Sequence, residues 1–183
     1  MLSFDIETTG LTRADRITAA CVYNPEYGIR ETFLFKDEHV SPVRFLKYLD
    51  EANVLCAFNG ARFDIPFIQR EFNIDPSRVT NWMSKLVDLY EMSWLVFKQG
   101  FSLNKVLTMN GIPVKTGCGR EAITLAEEGR WNELGDYCMQ DTIKTHAVTN
   151  LPIIKFPIYV EGKQIQLHNL SFQLVPYILE PRL

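Results

Sequence analysis

The chain opens on MLSFDI, an apolar run with a single acid, and this pattern predicts a strand over residues 1–6. ETTGLTRAD follows as a turn-rich loop, ITAACVYN as a second strand and NPEYG as a turn. Residues 30–36, RETFLFK, alternate polar and apolar positions and give a third strand. Strands joined this tightly form an antiparallel meander. SPVRFLKYLDEA carries Val43, Leu46 and Leu49 at helical spacing, with Ser41 an N-cap candidate followed by Pro42. NVLCAFN is a short apolar run bounded by polar residues, the pattern of a strand buried on both faces. FDIPFIQREFN resumes helical character, with Pro66 confined to the first turn. KLVDLY fits a further strand or the start of a helix through SWLVF. From residue 102 the periodicity is helical in FSLNKVLTMNGI, REAITLAEEG and WNELGDYCMQDTIKTHAVTNL. Strands first and helices later, with βαβ between, predict an α/β sheet with helices on its faces. Beyond residue 150, IIKFPIYVEGKQIQLHN reads as a hairpin about EGK, and FQLVPYILEPRL as an apolar tail.

No apolar run is long enough for a membrane-spanning helix. Asp5 and Glu7 interrupt the first apolar segment and no basic stretch precedes it, so no signal peptide is read there and an intracellular location is expected. A length of 183 residues suits one domain. The apolar fraction of 46% and charged fraction of 22% are those of a folded globular chain. Nineteen basic against 22 acidic residues leave a formal charge of −3, which argues against a broad basic face that coats duplex nucleic acid. A local basic track remains compatible with that total. Cys21, Cys56, Cys118 and Cys138 are far apart and contain no C-x-x-C pair, which disfavours a zinc knuckle and a disulfide framework.

The informative residues are acids in particular settings. Asp5 and Glu7 are two apart on a strand and share one face, while Phe4 and Ile6 point to the other. Like charges so close raise each other's pKa. A hard divalent cation offsets that cost through oxygen ligands. In NGARFDIPFI, residues 59–68, Asn59-Gly60 turns the chain after an apolar strand and puts Asp64 near the next helix start. Open α/β sheets build sites beyond such strand ends. In DYCMQDTIKTH, Tyr137 and Asp141 are four apart and share a helix face, with Cys138 and Met139 on others. Each pattern alone also fits a bland role: solvated strand acids, a helix N-terminal acid, or a half-buried aromatic beside a surface acid. Asp88 in KLVDLYEM reads as an acid that ends a strand and caps a helix or as one that lies behind the candidate ligands, the N-cap preference of Asp favouring the cap, and Glu121 and Asp136 read as solvated helix acids.

Together the segments FDIETTG, NGARFD and YCMQD, in that order over residues 5 to 141, resemble the three motifs of the DEDD superfamily of 3′–5′ exonucleases. The second is especially similar to the N-G-x-x-F-D-x-P form of family-B-type polymerase exonuclease domains. The third matches the Y-x-x-x-D form, and Asp136 stands where a sister subgroup carries His, so the resemblance is to the tyrosine (DEDDy) branch. It implies a ribonuclease-H-like fold, a mixed five-stranded sheet flanked by helices. Residues 1–150 would form the exonuclease domain, and 151–183 a C-terminal hairpin and tail packed on it or offered to a protein partner.

The resemblance further implies hydrolysis of phosphodiester bonds at single-stranded 3′ ends of DNA or RNA, releasing nucleoside 5′-monophosphates. Two divalent cations, Mg²⁺ or Mn²⁺, would be held by Asp5, Glu7, Asp64 and Asp141, with Asp5 shared between them. Tyr137 would orient the attacking water. Thr8, Thr9, Asn59 and Phe63 would contact substrate, although Phe63 equally fits the core. Arg62, Lys98, Lys105, Lys115 and Arg120 are candidates for a basic track along a single strand. The alternative from another class is a catalytically silent module of the same fold that binds nucleic acid or protein.

Overall fold

The computed structural model describes residues 1–12, 14–37, 39–114, 120–160 and 163–168. Strand β1 (Leu2–Thr8) is followed by β2 (Ile17–Asn24), a short 3₁₀ turn and β3 (Ile29–Leu34). These form the expected meander, with β1–β2 and β2–β3 antiparallel. Helix α1 (Val43–Glu51) leads into β4 (Leu55–Ala57), and α2 (Asp64–Glu71) into α3 (Pro76–Ser84). Strand β5 (Leu86–Asp88) runs directly into α4 (Leu89–Phe97), so both expectations for this stretch are met. Helices α5 (Leu103–Met109), α6 (Arg120–Glu127) and α7 (Trp131–Thr149) follow, then β6 (Ile153–Val160) and β7 (Lys163–His168). The sheet order is β3-β2-β1-β4-β5, with β4 and β5 parallel to β1. This is a mixed five-stranded sheet flanked by helices.

Three departures from the sequence reading have local causes. The first strand runs on to Thr8, past the predicted end at residue 6, because Glu7 and Thr8 still pair with β2. Pro42 rather than Ser41 occupies the α1 N-cap, while the Ser41 hydroxyl accepts the Val43 amide at 3.4 Å. Helix α3 forms where no element was expected. Asp75 caps it through the Ser77 amide, Pro76 starts it, and Trp82 is driven fully into the core.

The alternation along β1 decides what faces what. Leu2, Phe4 and Ile6 point into a core shared with Phe45 and Leu49 of α1, Ile65 and Ile68 of α2, and Trp82. Ser3, Asp5 and Glu7 point to the opposite face, which α7 crosses. There Ala19 and Cys21 of β2 pack under Leu134, Cys138 and Met139. Gly135 permits this close approach, since a Cβ on it would lie 2.9 Å from the Thr32 methyl. A third cluster joins Leu89 and Met92 of α4, Val106 and Leu107 of α5, Val148 of α7, and Ile154 and Phe156 of β6. The Asn110 side chain pairs with the β6 backbone, donating to Lys155 O at 2.8 Å and accepting Lys155 N at 2.9 Å. Within the stretch 153–169 expected as a hairpin, β6 and β7 pair antiparallel, and Glu161, Gly162 and Asn169 lie outside the described residues. The apolar tail FQLVPYILEPRL lies outside the described residues, as do Lys115 and Cys118.

Candidate active site

Asp5 and Glu7 stand on β1 with the Cys138 sulfur beside them; one ligand atom from each lies within 4.8 Å of the others. The Cys138 thiol donates toward the Asp5 carbonyl at 3.5 Å, with the carboxylate at 4.0 Å. A register shift between Glu7 and Thr8 bends the strand end where these acids sit. Beyond Ser3, β1 outruns its parallel neighbour, because their pairing covers only Leu2 and Ser3. The Ile6 amide is therefore left for another acceptor, and the Asp64 carboxylate takes it at 3.0 Å. This bond ties Asp64, the first residue of α2, to the strand that carries Asp5 and Glu7.

The charge of the fourth acid, Asp141, is felt at Asp5. The Asp5 carboxyl is held well above its ordinary range by burial first, then by the charges of Asp64, Glu7 and Asp141. Asp64 is pushed up to about 7 by burial and then by Asp88, against the opposing Ile6 amide. Tyr137 lies on the α7 face of Asp141, and burial, then Asp141 and Glu7, raise its phenol far above the ordinary value. Its hydroxyl is thus protonated at neutral pH. The Lys144 ammonium, one turn on, lies 3.8 Å from the Asp141 carboxylate. Among the described residues the ligand atoms gathered within 4.8 Å of one another are those of Asp5, Glu7 and Cys138; carboxylate oxygens such as those of Asp5 and Glu7 are hard ligands of the kind that suits Mg²⁺ or Mn²⁺.

The remaining candidates divide. Thr8 is buried and donates its hydroxyl to Gly10 O at 2.5 Å. Thr9 is exposed beside the site, but its hydroxyl closes the following loop through Asp15 at 3.1 Å. Asn59 adopts a left-handed conformation, φ 65°, which its short polar side chain tolerates. Phe63 packs on the core and on Phe67, with ring centroids 4.7 Å apart. Arg62 is held by Glu91. Lys98, Lys105 and Arg120 are exposed on α4, α5 and α6 ends, without forming one cluster with the acids in the contacts of the described residues.

The family model of the RNase_H superfamily matches residues 2–151. The chain belongs to the RNase_H superfamily. No curated protein matches it. Among solved structures, the family B DNA polymerase of the hyperthermophilic archaeon Pyrobaculum calidifontis is similar at a TM-score of 0.64 and 18% identity. That match covers 81% of this chain and 24% of the polymerase, so the chain spans about a quarter of that protein. A structure described as the apo form of a nuclease matches at 0.55 and 15%, over 80% of this chain and 68% of the other. Escherichia coli Exonuclease I in complex with a dA16 oligonucleotide matches at 0.44 and 17%, over 74% and 42%. At these identities the property shared with the polymerase and the apo nuclease is the fold.

In this RNase_H-superfamily protein two residues matter more than the sequence signalled. Cys138, assigned to another face, sits directly against Asp5 because α7 lies so close to β1. Asp88 does cap α4, as the N-cap preference of Asp suggested, but it also binds a second element. Its Oδ1 accepts Tyr90 N and Asn59 N at 2.9 Å and Glu91 N at 3.3 Å, and its Oδ2 accepts Ala61 N at 2.9 Å. One buried carboxylate thereby welds the turn before Asp64 to α4. Nothing in a single sequence links residue 88 to residues 59 and 61.

Proposed function

We propose that the chain is a 3′–5′ exonuclease of the tyrosine (DEDDy) branch, hydrolysing the terminal phosphodiester of a single-stranded 3′ end by a two-metal-ion mechanism. The observation that carries this reading is the state of Asp5, a carboxyl that feels three other acids at once. Such crowding is costly in an inert core and is the expected condition of a cation cage. Two divalent cations, when bound, neutralise the acids and supply Lewis acidity at the scissile phosphate. Asp5, Glu7, Asp64 and Asp141 are the residues that would hold them. Tyr137, protonated at neutral pH, suits the task of orienting the attacking water by a hydrogen bond rather than taking its proton. Water adds to phosphorus, the bond to the upstream 3′ oxygen breaks, and that oxygen regains a proton to leave a new 3′ hydroxyl. The released product is a nucleoside 5′-monophosphate.

The test is a strand labelled at its 5′ end, offered as single-stranded DNA, single-stranded RNA and blunt duplex. The expected result is a ladder shortening from the 3′ end in Mg²⁺ or Mn²⁺ and none in EDTA. A strand bound but never shortened, with no thermal stabilisation by Mn²⁺, would identify a catalytically silent module instead.

A further inference from the structure

We propose that Arg62, Tyr90 and Trp94 form a base-stacking platform for unpaired nucleotides of a single strand, upstream of the acid cluster. The proposal deepens the nuclease reading and takes its ligand class from it. Tyr90 and Trp94 are one turn apart on α4 and share a face. The Arg62 guanidinium lies over both rings, 5.8 Å from the Tyr90 centroid and 5.6 Å from that of Trp94. Trp94 keeps 36% of its surface exposed, and Leu95 and Val96 extend the open apolar area. Tyr90 is braced from behind by an edge contact with Phe58 and by Gly100, where any Cβ would strike the ring at 2.4 Å.

Two features select the occupant. Arg62 is already paired with Glu91, so the surface offers flat π and guanidinium planes rather than free positive charge. Flat planes suit nucleobases, whereas a phosphate would have to displace Glu91. A duplex hides its base faces in its own stack, so only an unpaired strand can use such planes. The platform is also continuous with the candidate site. Arg62 precedes Asp64 by two residues in one turn, and Asp88 fixes that turn to the first residues of α4. A strand whose 3′ end reaches the acids therefore has this surface within the same rigid unit.

The experiment measures binding of a labelled twelve-residue oligothymidylate and of a matched duplex by anisotropy, with the full chain in EDTA so that nothing is cleaved. The expected result is preference for the single strand and a loss of about tenfold in Trp94→Ala, with Trp94→Phe recovering most of it. Arg62→Gln should weaken binding in the same direction. The loss in Trp94→Ala should be the same at low and high salt, because stacking releases no counterions. Tryptophan quenching by the oligonucleotide should shrink in Trp94→Ala, since Trp82 is fully buried and Trp131 packs on the cluster between β2 and α7. Unchanged affinity in both variants, or equal binding of duplex, overturns the platform. If the wild-type chain shortens strands yet the variants bind normally, the platform alone falls; if it neither binds nor cleaves, the nuclease reading falls with it.

Discussion

Asp5 feels the charges of Asp64, Glu7 and Asp141 together, which makes it the most telling single residue. Asp5→Asn removes one charge from the crowd and keeps the side-chain shape. The expected outcome is loss of Mg²⁺-dependent hydrolysis with a melting temperature in EDTA equal to or above that of the wild type. Persistent turnover in that variant would remove Asp5 from the chemistry. The raised pKa values of Asp5 and Asp64 also set a pH dependence. A carboxyl whose folded pKa lies above its unfolded value binds more protons when folded, so its contribution is most favourable near or below pH ~4. That contribution is lost as pH rises through about 7, the value for Asp64. Without divalent ions the melting temperature should therefore fall between pH 5 and 8. Mn²⁺ should restore it, more strongly at the higher pH, because bound ligands must be deprotonated. A flat profile, indifferent to Mn²⁺, would contradict the cage. The acids themselves were legible in the sequence through their spacing on a strand, at a helix start and on a helix face. That Asp5 and Glu7 crowd each other was legible as well; the burial of Asp5 and Asp64 and the charges that reach Asp5 from Asp64 and Asp141 were not, because burial and the distances between segments do not exist in one dimension.

At the scale of elements, the turn 59–63 between the end of β4 and the start of α2 decides whether Asp64 reaches β1. Gly60 is required there, since a Cβ on it would lie 2.5 Å from that of Ala57. Asp88 holds the same turn with both carboxylate oxygens. In Asp88→Asn one oxygen becomes an NH₂ group facing the Ala61 amide or the cluster of three other amides, and at least one donor loses its acceptor. The expected result is a fold that survives, a drop in kcat of tenfold or more, and a smaller change in KM. Equal loss in kcat and stability would reduce Asp88 to a helix cap. The strand-turn-helix order around this turn was legible from NVLCAFN and FDIPFI. Helix α3 was missed although Asp75, Pro76 and the i, i+3, i+4 spacing of Val79, Trp82 and Met83 signal it, because these few apolar positions stand in a short, largely polar stretch. The four-way role of Asp88 was hidden for another reason: half of its partners are 27 and 29 residues away.

For the whole molecule, the third core cluster matters most, because it ties β6 to α4, α5 and α7. Phe156 is fully buried and its ring lies 5.3 Å from that of Phe97 and 6.2 Å from that of Phe101. Phe156→Ala is expected to cost about 3–5 kcal/mol by transfer and cavity terms. Thermal and urea unfolding would measure it. Removing residues 151–183 altogether should leave an aggregation-prone core, since Val148 and Leu107 lose their cover. A soluble, active 1–150 fragment would instead favour a docking role for the C-terminal segment. Among the described residues, no helix is long and apolar enough to cross a membrane.

Taken by itself, the chain's pattern of apolar and acidic positions determined an α/β sheet, its opening meander, its helical second half and the identity of four candidate acids. Those features are local: period two or 3.6, a proline at a helix start, an Asn-Gly turn. Only the folded molecule decided that Asp64 takes the Ile6 amide, that Cys138 backs Asp5, that Asp88 clamps two elements, and that Arg62 lies over Tyr90 and Trp94. Each of these depends on which face meets which across long sequence separations. That is fixed by collective packing of the sheet and its helices, which no short window of residues encodes.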